Sequence, residues 1–231
     1  MLKAYVDGYK KFRSEVFPPR RALFQSLASG QRPHTLFITC SDSRIVPDMI
    51  LQTEPGQLFI VRNAGNMIPP HGGMVGGVAA TVEYALAALE IRNVVVCGHS
   101  DCGAMKGVLY PEKVKDLPTV ARWLRNGNAA RLVTLENYPG LGEAEQLEVL
   151  IRENILAQVD NLKTHPAAAA LLARGALSVH AWHYRIGTGE ITAYDWEAAE
   201  FLPLDGEKVP MTLPPTRLRT ERKAEAMGRP A

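Results

Sequence analysis

The sequence predicts an α/β fold built on a mostly parallel sheet. Three observations carry that expectation. Short apolar runs rich in Val, Ile and Leu alternate with longer segments of helical periodicity. The runs are bounded by polar residues, as buried strands are. Residues able to bind a metal fall where two of the runs end, and open α/β sheets bind ligands beyond the carboxyl ends of their strands.

Residues 2–28 read as helical. In "YVDGYKKFRSEVF", Tyr5, Tyr9, Phe12 and Phe17 recur near helical spacing, and Pro18-Pro19 interrupt it. A second helix covers "RRALFQSLASG" and stops at Gly30. Residues 1 to about 30 thus form an N-terminal helical arm. It packs either on a partner or, as an ordinary amphipathic helix, on its own core. "HTLFITC" (34–40) and "QLFIVRN" (57–63) fit buried strands. "GGVAATVEYALAALEI" (76–91) places Val78, Val82, Ala85, Leu86 and Leu89 at helical spacing. "NVVVCGHS" (93–100) is a third strand, and "EQLEVLIRENILAQVDNLKTHP" a long amphipathic helix ending at Pro166. "LSVHAWHYRIGTGEITAYDWE" reads as a hairpin turning at "GTGE", with Trp182 and Trp196 packing it on the sheet. Its second strand adds an antiparallel edge. No internal repeat or linker divides the chain, so residues 1–202 form one domain. Residues 203–231, rich in Pro and charge, read as a poorly ordered basic extension.

A hydrophobic fraction of 46% over 231 residues can build a core without disulfide staples. A net charge of +2 gives no general case for nucleic acid or an anionic membrane as partner. No apolar run is long enough to span a bilayer, and the first residues lack the apolar core of a secretory signal. The expected location is cytoplasmic. Three cysteines, Cys40, Cys97 and Cys102, suit reduced thiols or a metal better than a disulfide framework.

Cys40 closes the first strand, and His99 and Cys102 follow the third. If those strands are neighbours across the point where strand order reverses, two thiols and an imidazole meet in one crevice. Such a set fits a catalytic zinc, because three protein ligands leave a fourth position open. The H-x-x-C pair of His99 and Cys102 is weak by itself; a structural His beside a buried Cys is commoner. The pattern C-x-D-x-R at Cys40, Asp42 and Arg44 makes the combination specific, although Asp42 and Arg44 alone also read as a structural ion pair. Cys40 and Arg44 are too close for a phosphatase loop, C-x-x-C is absent, and "NAGNMIPPHGGMVGG" matches no phosphate-binding motif. Cys97 reads as a small buried hydrophobe, and Glu83 as a helix-surface acid.

The segments "CSDSR", "EPGQLFIVRNAGN", "GGVAATVEYA", "CGHSDCGAM", "REN" and "LSVHAWHYRIGTGEI", in this order, resemble the β-class carbonic anhydrases along nearly the whole chain. The likeness is greatest to the bacterial branch associated with cyanate breakdown. It implies a four-stranded parallel sheet with one antiparallel fifth strand, flanked by helices, and an N-terminal arm that wraps a partner. It implies homodimers that pair further into tetramers. One Zn²⁺ per subunit is implied on Cys40, His99 and Cys102, with Asp42 and Arg44 as a catalytic dyad. Gln31, supplied across the dimer, Phe59, Tyr84 and Gly103 match substrate-pocket positions. The reaction implied is reversible hydration of CO₂ to bicarbonate and a proton by attack of zinc-bound hydroxide. His34, His71 and His183 are proton-shuttle candidates by type only. A COS or CS₂ hydrolase on the same scaffold and a non-catalytic zinc-stabilised scaffold protein are the alternatives.

Members of the family also show a closed state in which the aspartate, here Asp42, ligates zinc. That state is linked to a tryptophan three positions before the first zinc cysteine and a glycine directly before it. This chain has Phe37 and Thr39 there. Both departures lead us to expect the open form.

Overall fold

The computed structural model describes residues 1–73, 76–204 and 213–214. Four strands run parallel: β1 (Thr35–Cys40), β2 (Leu58–Asn63), β3 (Asn93–His99) and β4 (Ser178–Tyr184). Two more, β5 (Ile191–Asp195) and β6 (Glu200–Pro203), are antiparallel. The order across the sheet is β2-β1-β3-β4-β5-β6. The α/β class stands, with one antiparallel strand more than the sequence suggested. That strand is a four-residue piece, "EFLP", that follows Ala199 at φ +57° and ends on Pro203. It exists because β5 offers an open ladder, a tertiary cause its own pattern does not show.

Strand order reverses between β1 and β3. The chain goes from β1 outward to β2 and returns to the other side of β1 as β3. The crevice therefore opens where β1 and β3 end, at Cys40 and His99. The hairpin turns as expected: the Arg185 N–H donates to the Glu190 carbonyl at 2.8 Å, and Gly189 takes φ +77°.

One face of the sheet holds the main core. Leu36, Ile38, Val94, Val96, Val179 and Ala181 are all fully buried there. The long helix Glu143–Lys163 packs over β3 and β4. Its closeness requires Gly98, where a Cβ would lie 2.7 Å from Ile155 Cγ1. The other face carries a small cluster of Phe37, Val95 and Cys97, flanked by Trp182 and Tyr184. The connection after β2 is helical through Gly77–Glu83 and a π-turn at Tyr84–Ala88. Among the described residues, five short helices escaped the periodicity reading because each presents three turns at most: Pro47–Leu51, Gly103–Leu109, Pro118–Leu124, Asn128–Asn137 and Pro166–Ala173.

The arm consists of α1 (Leu2–Lys11), a π-turn at Phe12–Val16, a 3₁₀ turn at Pro18–Arg20 and α2 (Arg21–Leu27). None of its residues is buried, and Tyr5 stays 69% and Tyr9 62% exposed. The arm nevertheless touches its own domain at its end, where Leu27 leans on Gly56 and Arg20 pairs with Glu54 at 3.1 Å. Of the segment 203–231, residues 205–212 and 215–231 lie outside the described residues. Pro203 ends β6, and Leu213 is buried with its N–H on the Val179 carbonyl at 3.2 Å. No helix among the described residues is long and apolar enough to cross a membrane.

Candidate metal centre

Cys40, His99 and Cys102 converge. Their ligand atoms all lie within 4.8 Å of one another, and all three residues are buried. The two sulfurs stand 3.9 Å apart and are not bonded as a disulfide. Cys40 ends β1, His99 ends β3, and Cys102 precedes the helix Gly103–Leu109. Pairing of β1 with β3 is what joins positions so far apart in sequence.

The chemistry of the three groups asks for a cation. His99 Nδ1 lies 2.9 Å from the Ser100 carbonyl, which can only accept, so Nδ1 carries the proton. Nε2 is then a bare lone pair, buried and without a hydrogen-bond partner. The Cys102 thiol is the largest influence drawing the Cys40 thiol well below its ordinary range; burial opposes, and His99 and the Gly65 and Asp42 N–H groups assist. Cys102 is pushed the other way, by that same hydrogen bond and by burial. A dication among these atoms would let both thiols ionise and would take the orphan nitrogen. Two sulfurs and one imidazole suit zinc, and as three ligands they leave a fourth position free.

Asp42 stands at the rim. Its Oδ2 is 3.9 Å from His99 Nε2. Arg44 grips it with both arms of the fork, Nη2 to Oδ2 at 2.8 Å and Nε to Oδ1 at 2.9 Å. The Arg44 backbone N–H adds a third bond to Oδ1 at 3.0 Å. Those bonds to Arg44 hold the Asp42 carboxyl well below the usual carboxylate range. Gly103 is exposed, and open space surrounds the place a Cβ would take.

Gln31, Phe59 and Tyr84 do not join this cluster within one chain. Gln31 precedes the amino end of β1, whereas Cys40 closes its carboxyl end; a six-residue strand puts roughly 20 Å between them. Phe59 pairs with Leu36, also toward the amino ends, and its ring lies 6.1 Å from that of Tyr84. Tyr84 is half exposed. Of the three histidines considered as shuttles, His34 bonds Thr35 before β1, and His71 bonds Thr164 through its backbone. His183 is buried beside Gly98, with Nε2 3.5 Å from Glu148. Burial, aided by Arg152 and Arg185, pushes its pKa down to about 4.

Other contributors were not legible. Asp101 receives Arg44 Nη1 on its carboxylate at 3.1 Å and Nη2 on its carbonyl at 3.2 Å, and it pairs with Lys106. Its left-handed backbone, φ +57°, turns both acceptors toward Arg44. Arg62 holds the Cys40 and Asp42 carbonyls at 3.0 and 2.6 Å. Two amides of the long helix, Asn154 and Gln158, are fully buried behind the loop after β2. Their spacing on an apolar helix face was the available signal.

Comparison with known proteins agrees with the site. The family model for carbonic anhydrase matches residues 35–191. A carbonic anhydrase of Synechocystis sp. is 48% identical over 202 residues, covering 87% of this chain and 74% of that protein. One of Pseudomonas aeruginosa is 45% identical over 203 residues, covering 88% and 92%. The solved β-carbonic anhydrase CcaA superposes with a TM-score of 0.86 at 48% identity, over 87% of this chain and 98% of that one.

Proposed function

This chain belongs to the β class of the carbonic anhydrase family, and we propose that it hydrates CO₂ reversibly to bicarbonate and a proton at Cys40, His99 and Cys102. The observation carrying this is the buried sulfur–sulfur–nitrogen triangle with its unpartnered His99 Nε2. Zinc held there would supply a Lewis acid that brings the ionisation of water toward neutral pH.

The dyad does the orienting. Asp42, kept ionised by Arg44, accepts a hydrogen bond from the attacking water and aims its lone pair at the CO₂ carbon. Arg44 is braced in turn by Asp101, so the carboxylate has little freedom to swing inward. This supports the open form. The Gly103 backbone N–H, unshielded by a side chain, is the group we assign to a substrate oxygen.

Gln31, Phe59 and Tyr84 are assigned to the pocket of a neighbouring subunit. The arm supports that arrangement, since none of the residues of α1 and α2 is fully buried in their own chain. We therefore propose a homodimer able to pair into a tetramer; a solved β-carbonic anhydrase of Sordaria macrospora, 31% identical, is tetrameric. Three free cysteines support a reducing, cytoplasmic setting. Support of cyanate breakdown, a reaction that consumes bicarbonate, is the physiological role we infer from the motif likeness. Impaired growth on cyanate when the gene is deleted would test it.

The deciding experiment is a CO₂-hydration assay with metal analysis on wild type and Cys40→Ser, with COS and CS₂ run beside CO₂. We expect one zinc per chain and rapid hydration in wild type, both lost in the variant. Zinc without CO₂ hydration would overturn the reading.

A further inference from the structure

The loop after β2 is held by two amides that should not be where they are. Asn154 and Gln158 are 0% exposed on the apolar face of the long helix Glu143–Lys163, among Leu150, Ile151, Ile155 and Val159. Burying an amide there is costly unless every polar atom is matched. These are matched, and the matching runs in one direction. The Ile68 backbone N–H can only donate, and it lies 2.7 Å from Gln158 Oε1. Gln158 Nε2 must therefore face the other way, and it donates to Asn154 Oδ1 at 2.9 Å and to the Asn126 carbonyl at 3.1 Å. Asn154 is thereby oriented with Nδ2 outward. It donates to the Gly65 carbonyl at 3.1 Å. The N–H of that same glycine points at Cys40 Sγ, 3.4 Å away.

Gly65 is the one residue type suited to this place. Its φ is +81°, and a Cβ would lie 2.9 Å from Met105 Cε and 3.1 Å from Ala104 Cβ. Asn63 closes the loop from the other side, accepting the Met67 N–H at 2.7 Å and donating to the Met67 carbonyl at 2.9 Å. A bare glycine peptide could rotate. The Asn154 bond to its carbonyl keeps the N–H on the sulfur.

Resting on the zinc reading above, we propose that Asn154 is a positioning residue. It aims the Gly65 N–H at the Cys40 thiolate and so limits how much charge that sulfur donates to the metal. Two thiolates and a neutral imidazole leave a zinc site formally neutral, which weakens zinc as a Lewis acid. A donor fixed on one sulfur works against that weakening.

The test uses full-length protein loaded with Co²⁺, whose sulfur-to-metal charge-transfer band reports the sulfur directly. Asn154→Leu keeps the branched side-chain skeleton and removes the donor; Asn154→Ser is too short to reach Gly65. Thr134→Val is the control, since Thr134 is fully buried and its hydroxyl donates to the Ala130 carbonyl of its own helix. We expect the band to move to longer wavelength in both Asn154 variants and not in the control. With zinc, CO₂ hydration should fall about tenfold in the Asn154 variants. No such band in wild type overturns the zinc reading itself. A wild-type band that neither variant moves, or loss of fold in both, overturns the positioning role alone.

Discussion

Replacing Asp42 with Asn separates the dyad's chemistry from its architecture. A carboxylate offers about four lone-pair sites. Arg44 Nε and the Arg44 backbone N–H occupy Oδ1, and Arg44 Nη2 occupies one side of Oδ2. What remains is the side of Oδ2 that faces the cluster, 3.9 Å from His99 Nε2. An amide cannot fill both roles. Its nitrogen cannot accept from Arg44, so the oxygen turns to the guanidinium and the NH₂ turns to the site. A donor then stands where an acceptor is needed. Loss of one such oriented group costs on the order of 10²–10³ in kcat. Stability should change little, because Arg44 is 43% exposed and keeps its two bonds to Asp101. Zinc content should not change, since the ligands are elsewhere. Stopped-flow CO₂ hydration, metal stoichiometry and a thermal melt on Asp42→Asn give the three readings together. Full activity with zinc retained would refute the dyad, and zinc loss in step with activity would make Asp42 a ligand.

Gly98→Ala should be disruptive. The new methyl would lie 2.7 and 2.8 Å from Ile155 atoms and 3.4 Å from Ile151, both in the main core, so we expect a loss of about 1–3 kcal/mol by chemical denaturation; an unchanged midpoint would contradict the packing described. His183 sets an acid limit on stability. Its folded pKa of about 4 lies below the ordinary 6.5, so the unfolded chain takes up a proton first as pH falls. That contribution is whole above pH 6.5 and is lost toward pH 4, roughly 3 kcal/mol at most. Denaturation of His183→Gln across that window should show a shallower slope than wild type, and equal slopes would contradict the assignment. Deleting residues 2–28 should give monomers by sedimentation and abolish CO₂ hydration, because no neighbour then presents Gln31, Phe59 and Tyr84. Active monomers would refute the shared pocket.

The parts of the site that the sequence made legible are those whose place follows from strand ends. Cys40, Asp42, His99 and Cys102 each follow a short apolar run, and the reversal of strand order does the rest. Asp101 was hidden because its role depends on a left-handed backbone and on Arg44 arriving from the turn after β1. Asn154 sits inside the segment "REN" with no role visible there, since only packing shows it pressed against Gly65. β6 was missed because a neighbouring edge creates it. Gln31, Phe59 and Tyr84 could be named only by resemblance; within one chain Gln31 and Phe59 lie toward the amino ends of the strands and Tyr84 on the helical connection beside Phe59, away from Cys40.

The central claim is that Cys40, His99 and Cys102 hold a catalytic zinc with one position left open. X-ray absorption at the zinc edge of the purified protein at neutral pH reads that shell directly. Two sulfurs at about 2.3 Å, one imidazole nitrogen at about 2.0 Å and one further light atom are the predicted result. A shell without sulfur, or one closed by four sulfur and imidazole ligands, would contradict it.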